Sequence, residues 1–220
     1  MAQKLIVEGK DAIVLANLLK KRGLPPPEGY ANAVKFRDKF VVTAGGYDKA
    51  LDALREALDN SSLTNIGLVV DANEAGAPAR WQAIRSILLE KVPEEVVTSV
   101  SLEANGVAIT GKNLPVIGIW IMPDNQSTGY LEHFVAGMVP DDDRLWHYAE
   151  ETIQSLETDG LSRFSPVKRQ KALLHTWLSW QAEPGRPLGQ AVEMGYLDAR
   201  DRAIDAFAQW FQTVFQLEEQ

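Results

Sequence analysis

Apolar runs in this chain repeatedly end in an acid and a turn, after which helical spacing begins. Leu5-Ile6-Val7 leads into Glu8-Gly9 ahead of Asp11. Ile66-Gly67-Leu68-Val69-Val70 leads into Asp71-Ala72-Asn73-Glu74, and Ile117-Gly118-Ile119-Trp120-Ile121-Met122 into Pro123-Asp124-Asn125. Short continuous apolar runs are the pattern of strands buried on both faces of a parallel sheet. The spacing predicts strands at 4–7, 39–43, 65–70 and 116–122, and helices at 11–22, 47–58, 78–89 and 130–138. Gly23 and Pro25-Pro26-Pro27 stop the first helix, and Gly45-Gly46 closes the second strand. Segments 96–102 and 107–110, joined by Glu103-Ala104-Asn105-Gly106, predict a hairpin on an Asn-Gly turn. Beyond Asp141 only helical spacing remains, at 143–157 (capped by Asp141 or Asp142), 165–180 with Pro166 in its first turn, 189–194 and 198–217. The expected fold class is α/β: a mostly parallel sheet flanked by helices over 1–140, with a helical extension at 141–220. No linker-like segment divides the two, so the extension is expected to pack on the sheet as one compact unit.

A chain of 220 residues, 45% apolar and 24% charged, can bury a core without staples. With no cysteine, disulfides, thiolate catalysis and cysteine-held zinc or iron–sulfur sites are excluded. The start, Met1-Ala2-Gln3-Lys4, enters a strand almost at once without a charged-then-apolar signal layout, and no apolar run nears the roughly 18 residues of a membrane span. A cytoplasmic protein with no membrane partner is expected. A net charge of −8 opposes broad, non-specific binding to nucleic acid. It leaves room for a small metal-dependent nucleic-acid site, because bound cations change the local charge, and it equally suits a protein partner.

In open α/β sheets ligands bind outside the carboxyl ends of the strands. Acids at three such ends, Glu8, Asp71 and Asp124, would therefore meet in space. Carboxylates that cannot neutralise one another point to a hard divalent cation such as Mg²⁺, and Asn73 and Glu74 add oxygen donors. Plainer readings stand beside these. Glu8 and Asp11 suit a helix amino terminus, stabilising it by about 0.3–1 kcal/mol through the dipole, and Asp11 reads as a cap before a ligand. Asp71 suits an Asx turn before a helix. Glu132 either reaches back to the strand ends or sits in a first helical turn. Gly45-Gly46 reads as a tight turn before a phosphate cradle, since no Walker-type loop is present. His133, His147 and His175 lack metal-like spacing. Lys168, Arg169 and Lys171 form either a solvated helix face or a source of positive charge for a phosphate. The tail aromatics, Trp146, Trp177, Trp180, Phe207, Trp210, Phe211 and Phe215, read as core. No Gly-x-Ser-x-Gly elbow supports a hydrolase triad.

Leu5 to Asp11, followed by a strand ending in Asp71, resembles the Toprim domain, the metal-binding module of topoisomerases, primases and the overcoming-lysogenization-defect nucleases. Gly45-Gly46-Tyr47-Asp48-Lys49, Val69-Val70-Asp71-Ala72-Asn73, Trp120 to Asn125, Leu131-Glu132-His133-Phe134 and His175 to Gly189 resemble an uncharacterised bacterial branch of that superfamily. The resemblance implies a Toprim-like fold and phosphoryl transfer at a DNA or RNA backbone, with a role in phage defence suggested at superfamily level. It implies Glu8 as general acid/base or metal ligand, Asp71 holding Mg²⁺ (or Mn²⁺), and Glu132 completing the site. Lys171 would take the lysine role of the nuclease branch. The full set of expected metal ligands is Glu8, Asp71, Asn73, Asp124 and Glu132, with Glu8 and Lys171 catalytic. The chain departs from the pattern at Asn73, where a second aspartate is expected, and at Ala12 and His133, where acids are expected. Each change removes a negative charge. The alternative is a catalytically weakened protein that serves as a regulatory or protein-interaction module.

Overall fold

The computed structural model describes residues 2–9, 12–24, 40–198 and 202–215. Five strands, β1 (Ala2–Val7), β2 (Val41–Thr43), β3 (Leu63–Asp71), β4 (Val107–Ile109) and β5 (Val116–Met122), form one sheet in the order β2-β1-β3-β5-β4. All neighbours run parallel except β4, which pairs antiparallel with β5 through Val107–Ile119 and Ile109–Ile117. The apolar runs become β1, β3 and β5, the three central strands. Helices are α1 (Ala12–Lys21), α2 (Tyr47–Leu58), α3 (Ala77–Leu89), α4 (Glu94–Thr98), α5 (Leu131–Ala136), α6 (Arg144–Thr158), α7 (Arg169–Ser179), α8 (Leu188–Met194) and α9 (Arg202–Phe215). Predicted Asp11, Lys39 and the end of the last helix beyond Phe215 lie outside the described residues, as do Pro25-Pro26-Pro27. Among the described residues no helix is long and apolar enough to cross a membrane.

Because side chains alternate along a strand, each strand supplies two cores. Ile6, Leu68, Val70, Ile117, Ile119 and Ile121 face α2, α3 and α4. Leu5, Val7, Val69, Trp120 and Met122 face α1 and the helices from α5 onward. The carboxyl-terminal helices therefore share a core with the sheet. At the centre of that core Phe207 of α9 lies 5.1 Å from Trp120, 5.4 Å from Trp210 and 5.9 Å from Phe134, ring centre to ring centre. Buried Asn65 donates to Val214 O at 2.7 Å, satisfying a carbonyl at the end of α9.

Helix α9 also lies against bare backbone. Gly67 of β3 and Gly118 of β5 are register partners. A Cβ on Gly67 would come within 2.8 Å of the Phe215 ring, and one on Gly118 within 3.0 Å of Trp210 and into overlap with Val214. Gly118→Ala is accordingly expected to lower stability by about 1–3 kcal/mol through overpacking, read as a lower urea midpoint at unchanged slope.

The predicted hairpin at 96–102 is not formed. Residues 94–98 are the short helix α4, with Pro93 before it and Glu94 and Glu95 in its first turn. Proline ahead of a helix and acids at its amino terminus outweigh the strand preference of the Val96-Val97 pair, and Val97 is buried as a helical residue. The Asn-Gly turn itself exists, with Gly106 at φ +74° and its N–H on Glu103 O at 2.9 Å. It leads into β4, which pairs with β5.

Candidate functional site at the strand ends

The connections from β1 lead one way to β2 and from β2 back across to β3, so the strand order reverses between β1 and β3. Such a reversal opens a crevice at the carboxyl ends of the strands. A cleft of about 490 Å³ lies there, lined by Glu8, Asp71, Glu132, Tyr130, His133, Lys168, Lys171 and the Gly45-Gly46 turn, among others.

Glu8 is held by its own backbone. Its N–H continues the ladder to Val69 O at 3.1 Å, and its carbonyl accepts from Gly45 N at 2.9 Å and Gly46 N at 3.0 Å. Gly45 and Gly46 have φ of +82° and +137°, values that favour glycine. Their amides are thus spent on fixing Glu8, in keeping with the tight-turn reading. The Glu8 carboxylate accepts Asp71 N–H through Oε2 at 3.0 Å, tying the two strand ends together. Asp71 Oδ1 in turn accepts Leu131 N–H at 3.0 Å, capping α5. That cap brings Glu132, one residue on, to the cleft. Glu132 Oε1 pairs with Lys171 Nζ at 2.6 Å, and its side chain is 15% exposed. Lys171 reaches the cleft because the turn at Pro166–Lys168 leads directly into α7.

The electrostatics are negative at the strand ends. Burial raises the Tyr130 phenol, and the charges of Glu74, Asp71 and Glu132 raise it further, with Arg80 opposing. Burial lowers the His133 pKa, partly offset by Glu132. His133 Nδ1 accepts Tyr130 N–H at 3.2 Å, which leaves the proton of the neutral ring on Nε2.

Two expected ligands lie elsewhere. Asn73 has φ +54° and a two-way backbone bridge to Gly129, and it lines an adjoining cavity of about 330 Å³ with Glu74, Thr128, Tyr130 and His133. Asp124 closes its own turn, accepting from Ser127 N and Oγ at 2.7 Å each and from Gln126 N at 3.0 Å. Burial pushes the Asp124 pKa up, but those hydrogen bonds outweigh it and the net shift is downward. A depressed native value means stabilisation that is full above the ordinary Asp value of about 3.9 and fades as pH falls below it. The stability difference between the parent and Asp124→Ala is therefore expected to be constant near neutrality and to shrink in acid, as urea midpoints across pH will show.

Among the described residues no three histidine, aspartate or glutamate side chains converge as a ready metal cage. Glu8, Asp71 and Glu132 do share one cleft, and Mg²⁺ commonly takes only one or two carboxylates, completing its shell with water and substrate phosphates. The Glu8 and Asp71 carboxylates are the donors such an ion would meet here. Arg80 carries no sequence signal, and Tyr47 stands in the Gly45-Gly46-Tyr47-Asp48-Lys49 segment without a role of its own. Arg80 stacks on the Tyr47 ring, its guanidinium carbon 3.7 Å from the ring centre. Their pairing follows from their positions in the first turns of the helices after β2 and β3, which put both beside the strand ends.

Fold and site define an α/β protein with an acidic crevice at its topological switch point, walled on one side by lysines. Residues 2–216 match the family described as "Protein of unknown function (DUF3226)", and the chain belongs to that family. No curated protein and no solved structure matches it.

Proposed function

We propose that this protein is a Toprim-like, Mg²⁺-dependent enzyme of nucleic-acid phosphoryl transfer, acting as a nuclease. The observation behind this reading is the pair of carboxylates, Glu8 and Asp71, on adjacent parallel strand ends, hydrogen-bonded through Asp71 N–H and sharing a cleft with Lys168 and Lys171. In this reading Glu8 and Asp71, with Glu132 beside them, hold Mg²⁺ or Mn²⁺, which would orient the phosphate and offset its charge. Glu8 takes a proton from the water that attacks phosphorus. A P–O bond to the water oxygen forms and one P–O ester bond breaks, the departing oxygen taking a proton, which leaves a phosphate monoester and a hydroxyl end. Lys168 and Lys171 offset the charge that develops on the phosphate oxygens.

The test is incubation with single- and double-stranded DNA and RNA, with Mg²⁺, with Mn²⁺ and with chelator. Cleavage that requires the ion is expected, and no cleavage of any substrate would contradict the reading. A second reading, a regulatory or interaction module, draws on a specific observation. Glu132 is already paired with Lys171 and Asp71 already caps α5, and Asn73 and His133 stand where acids would strengthen a metal site. It predicts an intact fold with no cleavage.

A further inference from the structure

Cations flank the carboxyl edge of the sheet on both faces. Lys168 and Lys171 belong to the face covered by α7, whose Leu173, Leu174 and Trp177 enter one core. Arg80 belongs to the other face, on α3 between Ala77 and Trp81, both in the opposite core. Two contacts fix the guanidinium plane of Arg80: the Tyr47 ring beneath it, and Nε donating to Ala72 O at 3.3 Å. Among the described residues Arg80 is in no ion pair. Its terminal N–H fork is the geometry that grips a phosphate with two parallel hydrogen bonds. Its charge also reaches the cleft, where it counters the acids acting on Tyr130. The Arg80 side chain is stacked, oriented and half-buried.

We propose that Arg80 holds a second phosphate of the substrate, so that the ligand is an oligonucleotide crossing the strand ends from one face of the sheet to the other, not a single nucleotide. This rests on the phosphoryl-transfer reading and specifies its substrate. In a chain of charge −8 a polyanion needs such local anchors. Lys168 and Lys171 line the cleft and Arg80 does not, so a phosphate seated between the lysines leaves the Arg80 fork for another.

The experiment is fluorescence anisotropy of a short fluorescein-labelled single-stranded DNA, with Ca²⁺ replacing Mg²⁺, over a series of NaCl concentrations. Arg80→Gln keeps a planar amide for the Tyr47 ring and an N–H for Ala72 O but loses the charge. It is expected to weaken binding roughly tenfold and to reduce the slope of log affinity on log salt by about 0.7, one phosphate contact on a single strand. Arg80→Lys is expected to regain most of the slope. Lys112→Ala, which removes an exposed lysine away from the cleft, is expected to leave it unchanged. Binding of adenosine monophosphate, followed by calorimetry, is expected to be the same for parent and Arg80→Gln. Should Arg80→Gln melt far below the parent, Arg80→Met, with an apolar stem over Tyr47, replaces it. A parent that binds DNA alongside an Arg80 variant of unchanged slope overturns the proposal and leaves the nuclease reading standing. Equal loss of mononucleotide binding overturns it too, since Arg80 would then grip the reacting phosphate. A parent that binds no DNA removes both.

Discussion

Glu8→Gln is expected to lower ion-dependent cleavage of a phosphodiester by at least about 100-fold, the scale of a lost general base, while leaving stability nearly unchanged. The two halves of this result follow from the same hydrogen bond. Glu8 Oε2 accepts Asp71 N–H at 3.0 Å, and a glutamine carbonyl at that position can accept it equally. The loop is fixed by Gly45 and Gly46 on the Glu8 carbonyl, which the substitution leaves alone. What disappears is the negative charge and the ability to take a proton. A fall in cleavage accompanied by an equal fall in melting temperature would mean that Glu8 only joins β1 to β3. Single-turnover rates beside thermal unfolding distinguish the outcomes.

Phe207→Ala is expected to cost about 3–5 kcal/mol, the range for emptying a large aromatic site in a packed core. Phe207 is fully buried, and its ring meets Trp120 on β5 edge-on, Phe134 on α5, and Trp210 and Phe211 on its own helix. No neighbour on a rigid strand can collapse into the space. The loss approaches the whole stability of a marginal domain, typically 5–15 kcal/mol, so the urea midpoint should fall steeply. Phe134 belongs to the helix that presents Glu132, so the same substitution is expected to loosen one wall of the cleft. Hydrogen exchange of the α5 amides will show this as a drop in protection larger than that of β1.

The sheet was legible where strands are buried on both sides. The runs ending at Val7, Val70 and Met122 are apolar at successive positions because two helical layers press on them, and they became β1, β3 and β5. The segment around Val96 misled because two valines suggest a strand, whereas Pro93, Glu94 and Glu95 are helix-start signals that decided the outcome. Of the site, Glu8 and Asp71 were visible as acids at strand ends. Their adjacency depends on which strands pair, and pairing is set by crossovers that no local pattern encodes. Asp124 ends a strand too, but an aspartate followed by a serine three residues on closes a turn upon itself. That spacing was available in the sequence as a signal against a ligand. The Lys171–Glu132 pair and the stacking of Arg80 on Tyr47 join residues 39 and 33 positions apart. Each contact joins segments far apart in the chain, and both exist only once the helices are docked.

The measurement that bears most directly on the account is calorimetric titration of Mg²⁺ and Mn²⁺ into metal-free protein. It is run beside the Glu8→Gln, Asp71→Asn double variant, with and without an uncleavable phosphorothioate oligonucleotide. Saturable binding by the parent is expected, stronger with the oligonucleotide and lost in a double variant with a parent-like circular dichroism spectrum. An equal heat in parent and variant, or none from the parent even with the oligonucleotide present, would contradict a divalent-ion site at the ends of β1 and β3.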